Sequence, residues 1–394
     1  MNQKKIIFIW SAPPLDGVGN SVIVKRHLIR LSNNGWNVMI AAPETTFNNI
    51  DIDFRWNKIE LPMRKWWWPP FRNSIYLLVL IRNKLLLHEC KKKILKFNPD
   101  IVLSVIPCFG FYDYTFFSYI VSKSLKLPLV LLIHDQKEEF ISDRTASVLE
   151  RKKIKQLLDY SERVFPITDK LAENYQIKKS KSTVILPIPD TNINRYSTWK
   201  NDFIKKPNIV YAGYLYDSQL PYLEKIAETL NEFNGFLTVV SNMNTQLQKD
   251  FLKSKNNIIY KEPFKKNRDV LNFLIENALA TLVIYPFDLD NQPWFKSSFP
   301  SKLLEFSRLG LPILVFADKG SAFGDWCLKE NWEPLIDNVE HDAIYKYIQE
   351  LMKAECWKYY SDISLNISKR LFDPDCIHNN FESKLNEVLE NKNL

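Results

Sequence analysis

Short apolar runs of strand length alternate with stretches of helical spacing along this chain, and that alternation restricts the fold more than any other feature. Residues 5–10 (KIIFIW) are an apolar run, followed by the turn-rich loop SAPPLDGVGNS. Residues 22–31 then place apolar side chains at helical spacing and stop at Asn33-Asn34-Gly35. Further strands are expected at 36–42, 101–106, 129–133, 164–167 and 184–186, with helical segments between most of them. Strands separated by helices must run parallel, because a parallel pair needs a long crossover.

The pattern lapses over the polar, proline-bounded stretch PIPDTNINRYSTWKNDFIKKP and then restarts. Strands are expected at 208–212, 235–240, 258–260, 280–285 and 312–316, and helices at 220–233, 270–277, 301–309 and from about 342 onward. The fold class implied is α/β, with two Rossmann-like doubly wound domains facing across a cleft. Their limits are 1–195 and 196–372, with 373–394 a C-terminal helix that packs back on the first domain. In such domains ligands lie at the carboxyl ends of the strands.

The 394 residues are 46% apolar and 25% charged, within the globular range and against disorder. The net charge of +8 is lopsided: residues 1–190 hold 29 Lys and Arg against 18 Asp and Glu. An anionic partner of the first half is expected. The five cysteines (Cys90, Cys108, Cys327, Cys356, Cys376) are widely spaced and match no zinc or redox motif. No apolar run is long enough for a signal peptide or a membrane span, so a cytoplasmic protein is expected, peripheral on the inner face of the cell membrane. The membrane expectation rests on Trp66, Trp67 and Trp68, flanked by Arg64, Lys65 and Arg72 and followed by an apolar helical stretch and Lys91-Lys92-Lys93. Aromatic and basic side chains together suit an anionic headgroup layer. A core helix with a basic solvated face would read the same way, and nucleic acid is not expected, since no recognition motif accompanies the stretch.

The segment SSFPSKLLEFSRLGLPILVF (297–316) carries the most chemistry. Pro300 and Ser301 suit a helix start, where unpaired N–H groups favour an anion. Lys302 adds a cation, and Glu305 lies one turn in on the same face, where a carboxylate accepts bonds from two hydroxyls. A plain amphipathic helix remains the alternative. The pairs Asp51-Ile52-Asp53 and Asp288-Leu289-Asp290 end no convincing strand, so no metal site is expected.

This segment resembles the donor-binding signature of GT-B glycosyltransferases of the family-4 (glycosyl transferases group 1) type. The resemblance continues through Gly17 and Gly19 in the first loop, Leu131-Leu132-Ile133-His134-Asp135, Ile167-Thr168-Asp169, Leu186-Pro187-Ile188-Pro189-Asp190 and Val210-Tyr211-Ala212-Gly213. It implies a metal-independent hexosyltransferase without a cofactor, moving a sugar from a nucleotide-diphosphate sugar to a saccharide or lipid-linked acceptor in polysaccharide or glycolipid synthesis. It implies His134 and Asp135 as catalytic residues, and Gly17, Gly19, Gly213, Ser297, Ser301, Lys302 and Glu305 around the donor. Trp66, Trp67, Trp68 and Arg72 would face acceptor or membrane. The chain departs from the family pattern at Ser297, where the first of two glutamates would stand. It departs again at Tyr214 and Gln219, where an Arg and a Lys would clamp the diphosphate. A nucleotide-sugar epimerase of the same fold and a non-catalytic partner remain alternatives.

Overall fold

The computed structural model describes residues 3–15, 19–43, 55–61, 76–106, 114–136, 144–190, 195–290 and 292–392. They form two compact units, Met1–Ile188 with Asp375–Leu394, and Pro189–Pro374. Gly17, Asp51-Ile52-Asp53, Trp66, Trp67, Trp68 and Arg72 lie outside the described residues.

The first unit runs β1 (Lys5–Ile9), α1 (Gly19–Asn33), β2 (Asn37–Pro43), β3 (Asn57–Leu61), α2 (Tyr76–Phe97) and β4 (Ile101–Ile106). It continues through α3 (Tyr114–Leu125), β5 (Leu129–Ile133), α4 (Arg144–Tyr160), β6 (Arg163–Pro166) and α5 (Asp169–Asn174). The six parallel strands are ordered β3-β2-β1-β4-β5-β6. The central strands are buried along nearly their whole length, as a sheet covered on both faces requires.

The second unit begins with α6 (Asp202–Lys205), β7 (Asn208–Ala212), α7 (Leu220–Glu232), β8 (Phe236–Val240), α8 (Gln246–Lys253) and β9 (Ile258–Lys261). Then come α9 (Asn267–Asn277), β10 (Ala280–Ile284), α10 (Ser301–Phe306), β11 (Ile313–Phe316), α11 (Ala322–Lys329), β12 (Leu335–Ile336), α12 (His341–Leu351) and α13 (Ala354–Leu371). Its sheet is again parallel, ordered β12-β11-β10-β7-β8-β9. Counted within each unit, both sheets have the strand order 3-2-1-4-5-6, so both are doubly wound. The order reverses between β1 and β4 in one and between β7 and β10 in the other. Ligand crevices of doubly wound sheets open at such positions, beyond the strands' carboxyl ends.

The chain closes with α14 (Pro374–Lys392), which belongs to the first unit. Its Ile377, Phe381, Leu385 and Val388 are buried at helical spacing. The Phe381 ring centre lies 5.0 Å from that of Phe165 and 4.4 Å from that of His27. The imidazoles of His27 and His378 meet at 3.1 Å between their Nδ1 atoms, both buried. Trp36 Nε1 donates to Glu382 Oε1 at 2.7 Å and Arg163 pairs with Glu387 at 3.1 Å.

Two local expectations need correction. Residues 184–186 are not a strand. Thr183 and Ile185 donate to Val164 O and Pro166 O along the edge of β6, but Pro187 and Pro189 have no N–H to extend the ladder. The expected helix over 301–309 is α-helical only to Phe306; a 3-10 turn over Ser307–Leu309 tightens its end before Gly310, whose φ is +67°.

Phe381 is fully buried, so Phe381→Ala should lower the unfolding free energy of the chain by about 3–5 kcal/mol in urea titration. A loss below about 1 kcal/mol would mean that α14 is not anchored as described.

Candidate functional site

In the second unit Gly213 follows β7, at the point where the strand order reverses. Gly213 has φ +124°, a backbone conformation that side chains rarely adopt. Space forbids a side chain as well: a Cβ there would lie 2.2 Å from Cε and 2.5 Å from Nζ of Lys302. The lysine therefore fills the volume that the glycine leaves open.

Lys302 comes from the first turn of α10 and reaches across to β7. Its Nζ sits 4.5 Å from the centroid of the Tyr211 ring and donates to Tyr211 Oη at 3.3 Å. Among the described residues no carboxylate pairs with it. The side chain keeps an intermediate exposed area, yet dense protein surroundings push the ammonium down to about 7. Burial likewise raises the Tyr211 phenol, which stays protonated and can serve as a donor.

Glu305 lies one helical turn beyond Lys302, half-buried, with Oε2 accepting from the Asp190 N–H at 3.2 Å. Ser301 is not the cap that its type suggests. Pro300 takes that position, no side chain caps the helix, and Ser301 opens the first turn. Ser297 is buried at the end of a 3-10 turn over Pro293–Lys296, and Ser298 Oγ donates to Tyr285 Oη at 3.2 Å. Gly213, Ser301, Lys302 and Glu305 thus converge on one end of the second sheet.

Gln219 and Tyr214, which stand where the family pattern has a Lys and an Arg, have distinct structural roles. Gln219 is buried. Its Oε1 accepts from Tyr211 Oη at 2.8 Å and Tyr216 N at 3.1 Å, and its Nε2 donates to Ile284 O at 2.7 Å. It ties β7 to β10 and has little capacity left for a ligand. Tyr214 is 58% exposed and packs edge-on against Tyr216 at 4.8 Å. Lys296, the last residue of the 3-10 turn, is paired with exposed Asp290 at 2.9 Å.

In the first unit His134 follows β5 and is buried, its backbone N–H donating to Ile106 O at 3.1 Å. Burial pushes its imidazole down to about 4, and among the described residues Nε2 has no hydrogen-bond partner. The ring is therefore neutral near pH 7, suited to hydrogen bonding rather than to titrating there. Asn20 Nδ2 donates to Asp135 Oδ2 at 3.4 Å. Burial raises this carboxyl, with the Asn20 bond opposing. Gly19 opens α1, and no described atom lies within 4 Å of where a Cβ would stand, so no contact there requires glycine. Thr168, at the end of β6, caps α5 by accepting from Leu171 N at 3.1 Å. Among the described residues, no group of three His, Cys, Asp or Glu could hold a metal ion.

The amine of Lys302 should titrate near pH 7. Acylation of the intact protein by acetic anhydride, read by peptide mass spectrometry, should reach half its limiting rate at Lys302 near that pH, while exposed lysines accelerate until about pH 10. A Lys302 profile matching the exposed lysines would refute the desolvated geometry.

No family model matches the sequence, and no curated protein matches it. Solved structures do. A glycosyltransferase from Rickettsia africae ESF-5 superposes with a TM-score of 0.69 at 14% identity, covering 99% of this chain and 100% of that one. Anabaena Alr3699/HepE, solved in complex with UDP and glucose, gives 0.64 at 13% identity over 98% and 100%. A putative UDP-N-acetylglucosamine 2-epimerase from Listeria monocytogenes gives 0.60 at 13% identity over 99% and 98%. With two doubly wound units of matching strand order along almost the full chain, the protein has the GT-B fold.

Proposed function

We propose that this protein is a glycosyltransferase that moves a sugar from a nucleoside-diphosphate sugar to a hydroxyl acceptor. The observation that carries this reading is the ammonium of Lys302, held in the space left by Gly213 one turn before Glu305. The diphosphate of the donor meets the Lys302 amine and the uncapped start of α10. Glu305 takes the ribose hydroxyls, exchanging its bond from Asp190 N–H for theirs. As the bond from the anomeric carbon to the diphosphate breaks, negative charge grows on the leaving oxygen, and the ammonium stabilises it. The acceptor hydroxyl attacks the anomeric carbon, and its proton passes to the departing diphosphate, which leaves as the nucleoside diphosphate. The first unit holds the acceptor, and neutral His134 hydrogen-bonds a sugar hydroxyl. Alr3699/HepE, with UDP and glucose bound on the same fold, supports a nucleotide sugar as the ligand.

The acceptor belongs to cell-surface polysaccharide or glycolipid synthesis, and the enzyme works at the surface of an anionic membrane. The support is α2. Ile81 and Leu85, one turn apart, are 45% and 50% exposed, beside exposed Lys84, Lys91, Lys92 and Lys96. Trp66, Trp67, Trp68 and Arg72 precede this helix in sequence. Among the described residues no helix is long and apolar enough to cross a membrane.

Calorimetric titration with UDP tests the donor site. Glu305→Ala should weaken binding by about 1.5–3 kcal/mol, the cost of losing charged hydrogen bonds, and unchanged affinity would sink the assignment. UDP binding favours the protonated Lys302 amine, which in the free protein titrates at about 7. Affinity should therefore be full below pH 7 and fall by up to about tenfold per pH unit between about pH 7 and 9; Lys302→Met should flatten that slope. Incubation with UDP-sugars should release UDP slowly; a free 2-epimer would indicate an epimerase instead.

Sedimentation with phosphatidylglycerol vesicles tests the membrane reading. The protein should pellet with them, and Ile81→Ser with Leu85→Ser, or serine at Trp66, Trp67 and Trp68, should leave it in the supernatant. A wild-type chain that never pellets ends this part of the proposal.

A further inference from the structure

A concave surface lies in the first unit, with Gln136, the residue after Asp135, at one end. It is a groove of about 680 Å³ between α4 and residues 174–181. Ile154 and Leu158, buried at helical spacing, turn that face of α4 inward. Arg151 and Lys155, one turn apart, line one wall, and Lys178 lines the other. All three are exposed, and none forms an ion pair among the described residues. Like charges one helical turn apart repel. A fourth cation, Lys181, is already bound to the carbonyls of Asp159 at 3.0 Å and Ser161 at 2.6 Å. Among the described residues Asp159 is the one carboxylate lining the groove, against these four cations.

The end of the groove nearest β5 is different. Gln136 follows Asp135, and Asn174 Nδ2 donates to Gln136 Oε1 at 2.8 Å, with Tyr175 adjoining. Amides and an aromatic phenol suit neutral hydroxyls, while the cations suit acidic groups. The volume lies in the range of a discrete ligand. No large apolar side chain among the described residues of α4 or of 174–181 is exposed, so the surface lacks anything to insert into a bilayer.

We propose that this groove binds an anionic saccharide, with Arg151, Lys155 and Lys178 holding its acidic groups and the Gln136–Asn174 end its hydroxyls. The choice of a saccharide rests on the transferase reading; the preference for an anion rests on the groove alone. In chemical terms the acceptor is then an acidic glycan, whose chain extends along α4.

Calorimetry on the full chain tests this with trigalacturonate, neutral maltotriose, tripolyphosphate and phosphatidylglycerol vesicles as probes. Trigalacturonate should bind at least tenfold tighter than maltotriose and weaken as salt rises. The double variant Arg151→Ser, Lys178→Ser, checked for folding by circular dichroism, should lose at least fivefold of that affinity and keep its UDP affinity. Equal binding of maltotriose, unchanged binding by the variant, or tighter binding of tripolyphosphate than of trigalacturonate would overturn the proposal. So would vesicle binding that the variant abolishes without any trigalacturonate binding, which would make the groove a membrane contact. If trigalacturonate binds as expected while UDP does not bind the wild type, the groove stands and the transferase reading falls.

Discussion

The amine of Lys302 occupies the space that a side chain at residue 213 would need, and the carboxyl end of the second sheet is arranged around that contact. An ammonium drawn into protein without a carboxylate loses hydration that a phenol hydroxyl and a ring face only partly replace. The cost appears as the drop of its pKa to about 7. An anion arriving beside it recovers much of that loss. The contact also fixes the loop after β7, because the hydroxyl that Lys302 meets is shared with Gln219, and Gln219 is tied to β10. Lys302 and the sheet are thus braced by one chain of polar contacts.

The placement of that contact follows from topology. Each unit reverses its strand order beside its first strand, so neighbouring crossovers leave on opposite faces of the sheet and a crevice opens between them. Gly213 follows the first strand of the second unit at this point, and α10 enters from the crossover after β10. In the first unit His134 and Asp135 follow β5, the strand next to β4, both largely cut off from water. Burial acts in opposite directions on the two side chains, lowering the imidazole and raising the carboxyl. Both shifts favour neutral forms, which suits recognition of hydroxyl groups better than charge stabilisation.

Much of this was legible in the sequence because it depends on periodicity. Residues 101–106, 129–133 and 208–212 read as strands, and they are strands with those limits, since apolar runs buried on both faces have no competing structure. Residues 57–61 were not legible: NKIEL alternates polar and apolar over too short a span to stand out, and it becomes β3 by pairing with β2 at the sheet edge. Residues 184–186 misled in the other direction, being apolar enough for a strand but followed by prolines. At the site, helix-start chemistry correctly placed Lys302 and Glu305 within one turn. It could not place Lys302 against Tyr211, because that contact joins residues 91 positions apart. The neutral state of His134 was equally invisible, as it depends on burial and not on neighbours in the chain.

Tyr214 and Gln219, two of the positions that depart from the family pattern, both follow β7. A clamp of Arg and Lys after the first strand would bring two cations to the loop that follows β7. Here Gln219 is committed to holding that loop, and Tyr214 points an aromatic ring outward. A second cation in this loop would face Lys302 across Gly213 with no carboxylate between them. Like charges so close in a desolvated setting repel strongly, so a lysine packed into the glycine's space and a cationic clamp on the same loop are alternatives and not additions. The cation at this end of the sheet is Lys302, supplied from the helix that also carries Glu305.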